Sequence, residues 1–149
     1  SLWWNERLGW NETRRERNMV EKRPIKGSII YINFDPSTGA EIQKRRPAVV
    51  VSNDIIMKTS PFAWVVPISH GEFNGSDYPL HVQLDSRTKS DGVIYVEQLR
   101  FFDYKRRQWQ FREYLPSDLF EEVQKKIRLT ISWLLWILFK ILQKVSVRV

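Results

Sequence analysis

The sequence predicts a mainly β domain of the α+β class, in which a small antiparallel barrel or curled sheet is followed by a C-terminal helix. Five short segments rich in β-branched and aromatic residues lie within about seventy residues of one another. Loops rather than crossover helices separate them, which favours antiparallel pairing. After them, apolar residues recur every three or four positions, the period of an amphipathic helix.

Turn residues mark the ends of each predicted strand. The strands are residues 28–34, 47–52, 62–69, 78–84 and 93–96, and a weaker strand pattern covers 108–112. In the fourth strand His81 alternates with Leu80 and Val82, so its side chain is predicted to point to solvent. The spacing of these strands indicates one small sheet rather than an α/β architecture.

The predicted helix begins after Leu115 and Pro116, with Ser117 as its N-cap. Acidic residues in the first turn complement the helix dipole. An apolar stripe along the helix is predicted to pack on the sheet, and it consists of Phe120, Val123, Ile127, Ile131, Leu134 and Leu138.

The composition excludes several kinds of functional site. The chain has 149 residues, 42% of them hydrophobic and 28% charged, which fits one globular domain. It contains no cysteine, which excludes disulfides, thiolate metal sites and cysteine nucleophiles. With two histidines in the chain, a histidine-rich metal site is not expected. Any catalysis therefore depends on Arg, Lys, carboxylates, hydroxyls or Tyr.

The formal net charge of +7 is unevenly distributed along the chain. Residues 1–26 hold seven Lys and Arg against four acidic residues, and residues 133–149 hold three against none. The remaining residues, 27–132, hold fourteen against thirteen. A polyanionic partner would therefore be bound through a local groove rather than through a uniformly basic surface.

These differences divide the chain into three parts. Residues 1–26 are interpreted as an N-terminal extension. It is a tail, a leader or an addition from cloning, and the alternative is an arm that binds RNA or a partner through its Trp and Arg residues. Residues 27–132 are the predicted domain. Residues 133–149 are an apolar and basic extension that continues the last helix. An oligomer or crystal contact is favoured for this extension over docking on a membrane surface, and it is too short to span a bilayer.

Two loops at the ends of predicted strands contain the residues that are candidates for a functional site. The loop of residues 35–46 is rich in Ser, Thr and Gly and ends in three consecutive cations, and the third strand ends at Ser69 and His70. Backbone donors and cations at one strand end suit a phosphate group. The alternative is a solvated hairpin loop whose cations keep a sheet edge soluble.

Five segments of the chain together carry a family resemblance. They are residues 27–36, 39–41, 46–52, 65–69 and 91–100. In order and spacing they resemble the MazF/PemK toxins of toxin–antitoxin modules over about residues 25–132. The resemblance implies an SH3-like barrel of the PemK/CcdB type, a homodimer, a cytoplasmic location and a cognate antitoxin as partner. It also implies a sequence-specific endoribonuclease that cleaves single-stranded RNA by 2′-hydroxyl attack without metal or cofactor.

The resemblance also implies which residues form the site. Arg46 would bind the scissile phosphate, Ser69 stands where the family has a catalytic Thr, and Glu41 matches a loop carboxylate that could act as base. The implied RNA-binding residues are Thr38, Ala40, Lys44, Arg45, His70, Glu97 and Gln98. A PemK-like branch has a His and an Arg where this chain has Ala40 and Tyr95, which favours the pair of Arg46 and Ser69.

Two other functions remain open on the same fold. One is a CcdB-like poison that binds its target protein and has no nuclease activity. The other is an RNA-binding or protein-binding adaptor that has lost catalysis. In that case, Ser69 in place of the family's Thr would indicate the loss. A membrane contact by the C-terminal tail is the less favoured use of the apolar extension.

Overall fold

The architecture is described here from a computed structural model, which covers residues 23–36, 39, 41, 44–70 and 79–147. In these residues there are seven strands and three α-helices. The strands are β1 Ser28–Asn33, β2 Arg45–Val50, β3 Phe62–Ser69, β4 His81–Gln83, β5 Val93–Tyr95, β6 Arg100–Asp103 and β7 Trp109–Tyr114. The helices are α1 Asp54–Thr59, α2 Ser117–Ile131 and α3 Trp133–Val147, and a 3₁₀ turn covers Val96–Gln98.

All strand pairs in the sheet are antiparallel. The strands follow the order β4, β5, β3, β2, β1, β7, and β6 pairs with the first half of β3 while β5 pairs with its last two residues. Within the described residues the path is not closed, because β4 and β7 do not pair. The mainly β, antiparallel prediction is therefore confirmed, and the closed SH3-like barrel stays a prediction.

The two faces of the sheet bury separate apolar clusters. One contains Ile29, Val49, Val66, Ile68 and Ile94, and α2 covers it through Val123. The other includes Ile32, Ala48, Val65 and Phe102 on the opposite face, together with Met57 from α1. Alternation along each strand explains this division, since neighbouring residues of a strand point to opposite faces.

The apolar stripe of the last helix packs on the sheet only in part. Val123 is fully buried, and Phe120 and Ile127 pack against the first cluster. Ile131 is 72% exposed and Leu138 is also exposed, so the prediction was wrong for these two. The helix does not continue unbroken, because Ser132 is extended and separates α2 from α3. The stripe therefore leaves the sheet where the helix breaks.

The start of α2 also differs from the prediction. Ser117 is the first helical residue, and the N-cap position is held by Pro116, which makes no side-chain capping hydrogen bond. The first turn is stabilised instead by Arg87, which donates to both carboxylate oxygens of Asp118 at 2.9 Å. The Arg87 guanidinium holds the pKa of Asp118 below its usual value. A loop cation thus anchors the helix start.

Two elements were not predicted from the sequence. The α1 helix is one and a half turns long and is capped by Asn53, whose side chain accepts from the Ile56 amide at 3.0 Å. The β6 strand follows directly on the 3₁₀ turn, and it has no strand-like alternation long enough to identify it. None of the described helices is long and apolar enough to cross a membrane.

Replacing Val123 with alanine is expected to lower the free energy of unfolding by about 2 kcal/mol, because it removes two buried methyl groups and leaves a cavity between α2 and the sheet. The matched control is Ile131→Ala on the exposed end of the same helix, which should change stability by less than about 0.5 kcal/mol. Urea unfolding followed by circular dichroism measures both. Equal losses would contradict the packing described for α2.

Candidate active site

Two neighbouring strand ends bring Arg46 and Ser69 to the same place. In the register of β2 and β3, Ala48 lies opposite Pro67. Extended by two residues, the same register places Arg46 opposite Ser69. Directly opposite residues of an antiparallel pair share a face, with their Cβ atoms about 5 Å apart. The two central residues of the predicted site therefore stand at the neighbouring ends of β2 and β3.

This pair lies on the face of the sheet that carries the second apolar cluster. Arg46 alternates with Ala48 along β2, and Ser69 with Pro67 along β3. Arg46 is half-buried and Ser69 is buried, so both stand where the apolar face ends. A guanidinium and a hydroxyl at the edge of an apolar surface are partly shielded from water. Shielding strengthens their attraction for an anion.

A close backbone approach fixes the position of Ser69. On its other side Ser69 pairs with Val93 of β5, and Gly92 precedes Val93 with φ +114°. A Cβ added at Gly92 would lie 2.9 Å from the Ser69 carbonyl oxygen. Only glycine accepts both that contact and that backbone conformation. The loop before β5 is thus part of the support for Ser69.

Glu41 is tied to the sheet through Arg100. The Arg100 guanidinium lies 3.6 Å from the Glu41 carboxylate and 4.9 Å above the centre of the Phe34 ring. Arg100 lies opposite Val65, on the same face as Arg46. Sequence analysis did not assign Arg100 to the site. Its pairing with β3 depends on β6, which the sequence pattern did not reveal.

Glu97 is held by His81. The Nε2 atom of His81 lies 2.7 Å from a Glu97 carboxylate oxygen, and the His81 side chain is only 5% exposed. The prediction that His81 points to solvent was wrong. Tyr95 lies opposite His81 on β5, and their ring centres are 4.3 Å apart, so the tyrosine ring covers the imidazole. Alternation along one strand cannot reveal such cover from the next strand.

The remaining predicted RNA-binding residues are distributed around this centre. His70 follows Ser69, is exposed, and its Nε2 lies 3.2 Å from Asp91. Gln98 is half-buried at the end of the 3₁₀ turn. Both lie next to site residues in the chain. Two other predicted residues, Thr38 and Ala40, lie outside the described residues.

Lys44 and Arg45 do not join Arg46. Lys44 adopts φ 69°, and its backbone amide donates to the Asp35 carboxylate at 2.9 Å, which closes the loop before β2. Arg45 points to the other face from Arg46, because successive residues of a strand alternate. There its guanidinium lies 5.0 Å from the centre of the Tyr31 ring. The three consecutive cations therefore serve at least two different surfaces.

The described part of the site includes the Arg46 guanidinium, the Ser69 hydroxyl and two carboxylates that are each held by a basic side chain. Such a set can bind an anion at Arg46 and Ser69 and can accept a proton at a carboxylate. No group of three or more His, Cys, Asp or Glu side chains suited to a metal ion occurs within the described ranges.

Comparison with known proteins identifies relatives of the chain. The family profile described as "PemK-like, MazF-like toxin of type II toxin-antitoxin system" matches residues 25–131. A relative from Bacillus subtilis (strain 168), named Endoribonuclease EndoA, is 28% identical over 117 residues, which cover 76% of this chain and 97% of the relative.

Solved structures show the same fold. MazF from Deinococcus radiodurans superposes with a TM-score of 0.65 and 26% identity, covering 72% of this chain and 96% of that one. A MazE–MazF structure from the same organism gives a TM-score of 0.61 with 25% identity, over 72% and 95% of the two chains. The expected family resemblance is thereby confirmed.

Proposed function

Because the chain belongs to the family of PemK-like, MazF-like toxins of type II toxin–antitoxin systems, we propose that it is an endoribonuclease that cleaves single-stranded RNA at a short sequence. The observation that supports the proposal is the register of β2 and β3, in which Ala48 lies opposite Pro67, so that Arg46 and Ser69 stand two residues further along, at the neighbouring ends of the two strands. A cytoplasmic location and neutralisation by a cognate antitoxin belong to the same proposal. A similar protein has been solved as a MazE–MazF pair, which supports the antitoxin.

The proposed reaction uses the nucleophile that RNA itself supplies. The 2′-hydroxyl gives its proton to a base and its oxygen attacks the adjacent phosphorus, while the bond to the 5′ oxygen breaks and that oxygen takes a proton from the protonated base or from water. The products are a 2′,3′-cyclic phosphate and a 5′-hydroxyl. The site has to hold the phosphate in line with the attack and to stabilise the charge that develops on its oxygens. This reaction needs neither a metal ion nor a cofactor.

Arg46 and Ser69 are assigned to the phosphate. The planar guanidinium of Arg46 can bind two phosphate oxygens at once, which a lysine cannot do. The Ser69 hydroxyl can donate one hydrogen bond to the same group, and its buried backbone keeps it in place. Both side chains lie on one face, so one phosphate can contact both.

Glu41 is assigned as the acceptor of the 2′ proton. Its side chain is about half exposed, and its carboxylate lies 3.6 Å from the Arg100 guanidinium, which orients it. Glu97 is engaged by His81 at 2.7 Å and is assigned, with Gln98, to contact the bases of the RNA. In this proposal Glu41 takes part in proton transfer and Glu97 takes part in RNA recognition.

The proposal extends to the domain bounds and to the shape of the sheet. Residues 27–132 form the toxin domain, close to the residues that the family profile matches. The sheet is proposed to be an SH3-like barrel of the PemK/CcdB type. The division of β3 between β6 and β5 supports this, because a strand that changes partners along its length curls the sheet.

The homodimer is proposed to form through an exposed aromatic patch on the first half of β3 and on β6. The patch consists of Phe62, Trp64 and Phe101, and Phe101 is 58% exposed. The Phe101 ring centre lies 5.3 Å from that of Phe62 and 5.5 Å from that of Trp64. Clustered exposed aromatic rings are typical of interfaces between proteins.

Replacing Trp64 with lysine is expected to convert the dimer into a monomer, because it puts a charge into this patch. Light scattering coupled to size exclusion measures the mass. The matched control is Tyr114→Lys, an equally exposed aromatic residue on β7 at the other end of the sheet, which should leave the mass unchanged. A Trp64→Lys protein that keeps the wild-type mass would contradict the proposed interface.

The function is tested by incubating the purified protein with a long natural RNA in excess EDTA and mapping the new 5′ ends by primer extension. Discrete cuts that share a short sequence are the expected result. Intact RNA would contradict the proposal and favour one of the two alternatives. These are a CcdB-like poison without nuclease activity and an adaptor that has lost catalysis.

A further inference from the structure

A second anion-binding feature lies beside the candidate active site. The residues that end β1 and begin β2 and β7 form, with α1 and the turn between β6 and β7, a cleft of about 1270 Å³. We name it the basic cleft for the five cationic residues in its lining, which are Arg23, Arg45, Lys58, Lys105 and Arg107. Among its described lining residues there is no Asp or Glu.

Neutral groups hold two of these cations in position. Arg107 donates from Nη1 to the Asn33 carbonyl oxygen at 3.0 Å, and Arg45 donates from Nη2 to the Gln110 side-chain oxygen at 3.4 Å. A carbonyl or an amide orients a guanidinium without cancelling its charge. The neighbouring Arg106 differs, since it is 89% exposed, lies 3.8 Å from the Asp103 carboxylate and does not line the cleft.

Aromatic and amide side chains accompany the cations. Trp109 and Phe111 line the cleft and are partly exposed, and Trp109 is oriented by a hydrogen bond of 3.1 Å from its ring nitrogen to the Tyr104 carbonyl oxygen. Gln108 and Gln110 add amide groups to the lining. Grooves that bind single-stranded nucleic acid are usually lined by cationic side chains, which contact the phosphate backbone, and by aromatic rings, on which the bases stack.

The cleft and the candidate active site are linked by consecutive residues of β2. Arg45 lines the cleft, and the next residue is Arg46 at the site. Because the two side chains point to opposite faces of β2, a strand of RNA that passes the end of the sheet can contact one and then the other. Asn33, which pairs with Arg45, lies in the cleft at the same end.

We propose that the basic cleft binds the part of the RNA strand that flanks the cleaved bond. This inference rests on the proposed ribonuclease function and extends it, because it adds a binding site outside the residues that contact the cleaved phosphate. An acidic peptide would also be attracted by the charge. The aromatic and amide lining favours RNA, because bases stack on such rings and hydrogen-bond to such amides.

The test uses two RNAs that cannot be cleaved because the nucleotide before the scissile bond carries a 2′-hydrogen. One RNA contains only the mapped recognition sequence, and the other extends it by about ten nucleotides on each side, enough for a site of the size seen in single-strand grooves. Binding to the dimer is titrated by fluorescence anisotropy at several salt concentrations. The variants are Lys105→Ala with Arg107→Ala, and separately Lys58→Ala. The control is Arg106→Ala.

The double variant is expected to bind the long RNA about tenfold more weakly and to lower the salt slope by about 1.4, since each phosphate contact to a single strand contributes about 0.7. Lys58→Ala should lower the slope by about 0.7. The short RNA should bind all variants equally, and Arg106→Ala should match the wild type on both RNAs. Circular dichroism confirms that each variant is folded.

Unchanged binding of the long RNA by both cleft variants would overturn the inference. Equal weakening for the long and the short RNA would also overturn it, because it would show a general loss of charge rather than a flanking site. The inference would also be overturned if the cleft variants bound the long RNA as the wild type does and lost only the binding of an acidic peptide. Failure of the proposed function gives a different result, in which wild-type protein leaves natural RNA intact and no recognition sequence can be mapped. Two RNAs of arbitrary sequence and the same two lengths then replace the probes, and the cleft variants should still weaken binding of the longer one.

Discussion

Replacing Arg46 with alanine is expected to lower the rate of RNA cleavage by at least about 100-fold, which is the loss found when one donor to a developing oxyanion is removed. The fold should remain intact, because Arg46 is half-buried at the end of β2 and outside both apolar clusters. Single-turnover cleavage in EDTA measures the rate, and urea unfolding measures the stability.

Two further variants make this prediction specific. Arg46→Lys keeps the charge but loses the two-oxygen contact, so it should recover only part of the activity. Arg128→Ala removes an exposed arginine on α2 and should cleave at the wild-type rate. A folded Arg46→Ala protein with wild-type activity would contradict the role given to Arg46.

Replacing Gly92 with alanine is expected to lower both stability and activity. The new Cβ would lie 2.9 Å from the Ser69 carbonyl oxygen, so β5 or the end of β3 has to move. The contact and the strained φ of +114° together should lower the free energy of unfolding by about 1 to 3 kcal/mol. Cleavage should fall as well, because Ser69 is displaced from the phosphate. Urea unfolding and single-turnover cleavage measure the two effects.

Gly39→Ala separates the contact from the backbone strain. Gly39 also has a positive φ, at 59°, but a Cβ added there meets nothing within 4 Å. Its loss of stability should therefore be smaller than that of Gly92→Ala and near the 1 kcal/mol end of the range. Equal losses for the two variants would show that strain alone, and not the approach of β5 to Ser69, determines the effect.

The sequence predicted those features that depend on local pattern. β3 was predicted with its observed bounds, because aromatic and β-branched residues dominate the segment from Phe62 to Ser69. Arg46 and Ser69 were proposed by resemblance, and they stand two residues beyond the observed register of β2 and β3, at neighbouring strand ends. Strand ends that are adjacent in a sheet follow from chain order in an antiparallel fold, so this part of the site was within reach of sequence reasoning.

Features that depend on contacts across the sheet were not predictable. His81 has the alternation of a solvent-facing residue, but its side chain is buried beside the ring of Tyr95 on the next strand and the carboxylate of Glu97. Lys105 and Arg107 have the pattern of a solvated charge run. Their use in the basic cleft depends on Lys58, which α1 brings to the same place from far along the chain. No short segment of the sequence contains all three of these cations, so their meeting could not be predicted from a local pattern.

The most direct test of the account is cleavage of one RNA in two forms that differ at a single atom. Both contain the mapped recognition sequence, and one carries hydrogen in place of the 2′-hydroxyl at the nucleotide before the scissile bond. In excess EDTA the all-ribose RNA should be cut to a 2′,3′-cyclic phosphate and a 5′-hydroxyl, and the other should stay intact while still binding. Cleavage of the 2′-deoxy form at the same bond would contradict the account.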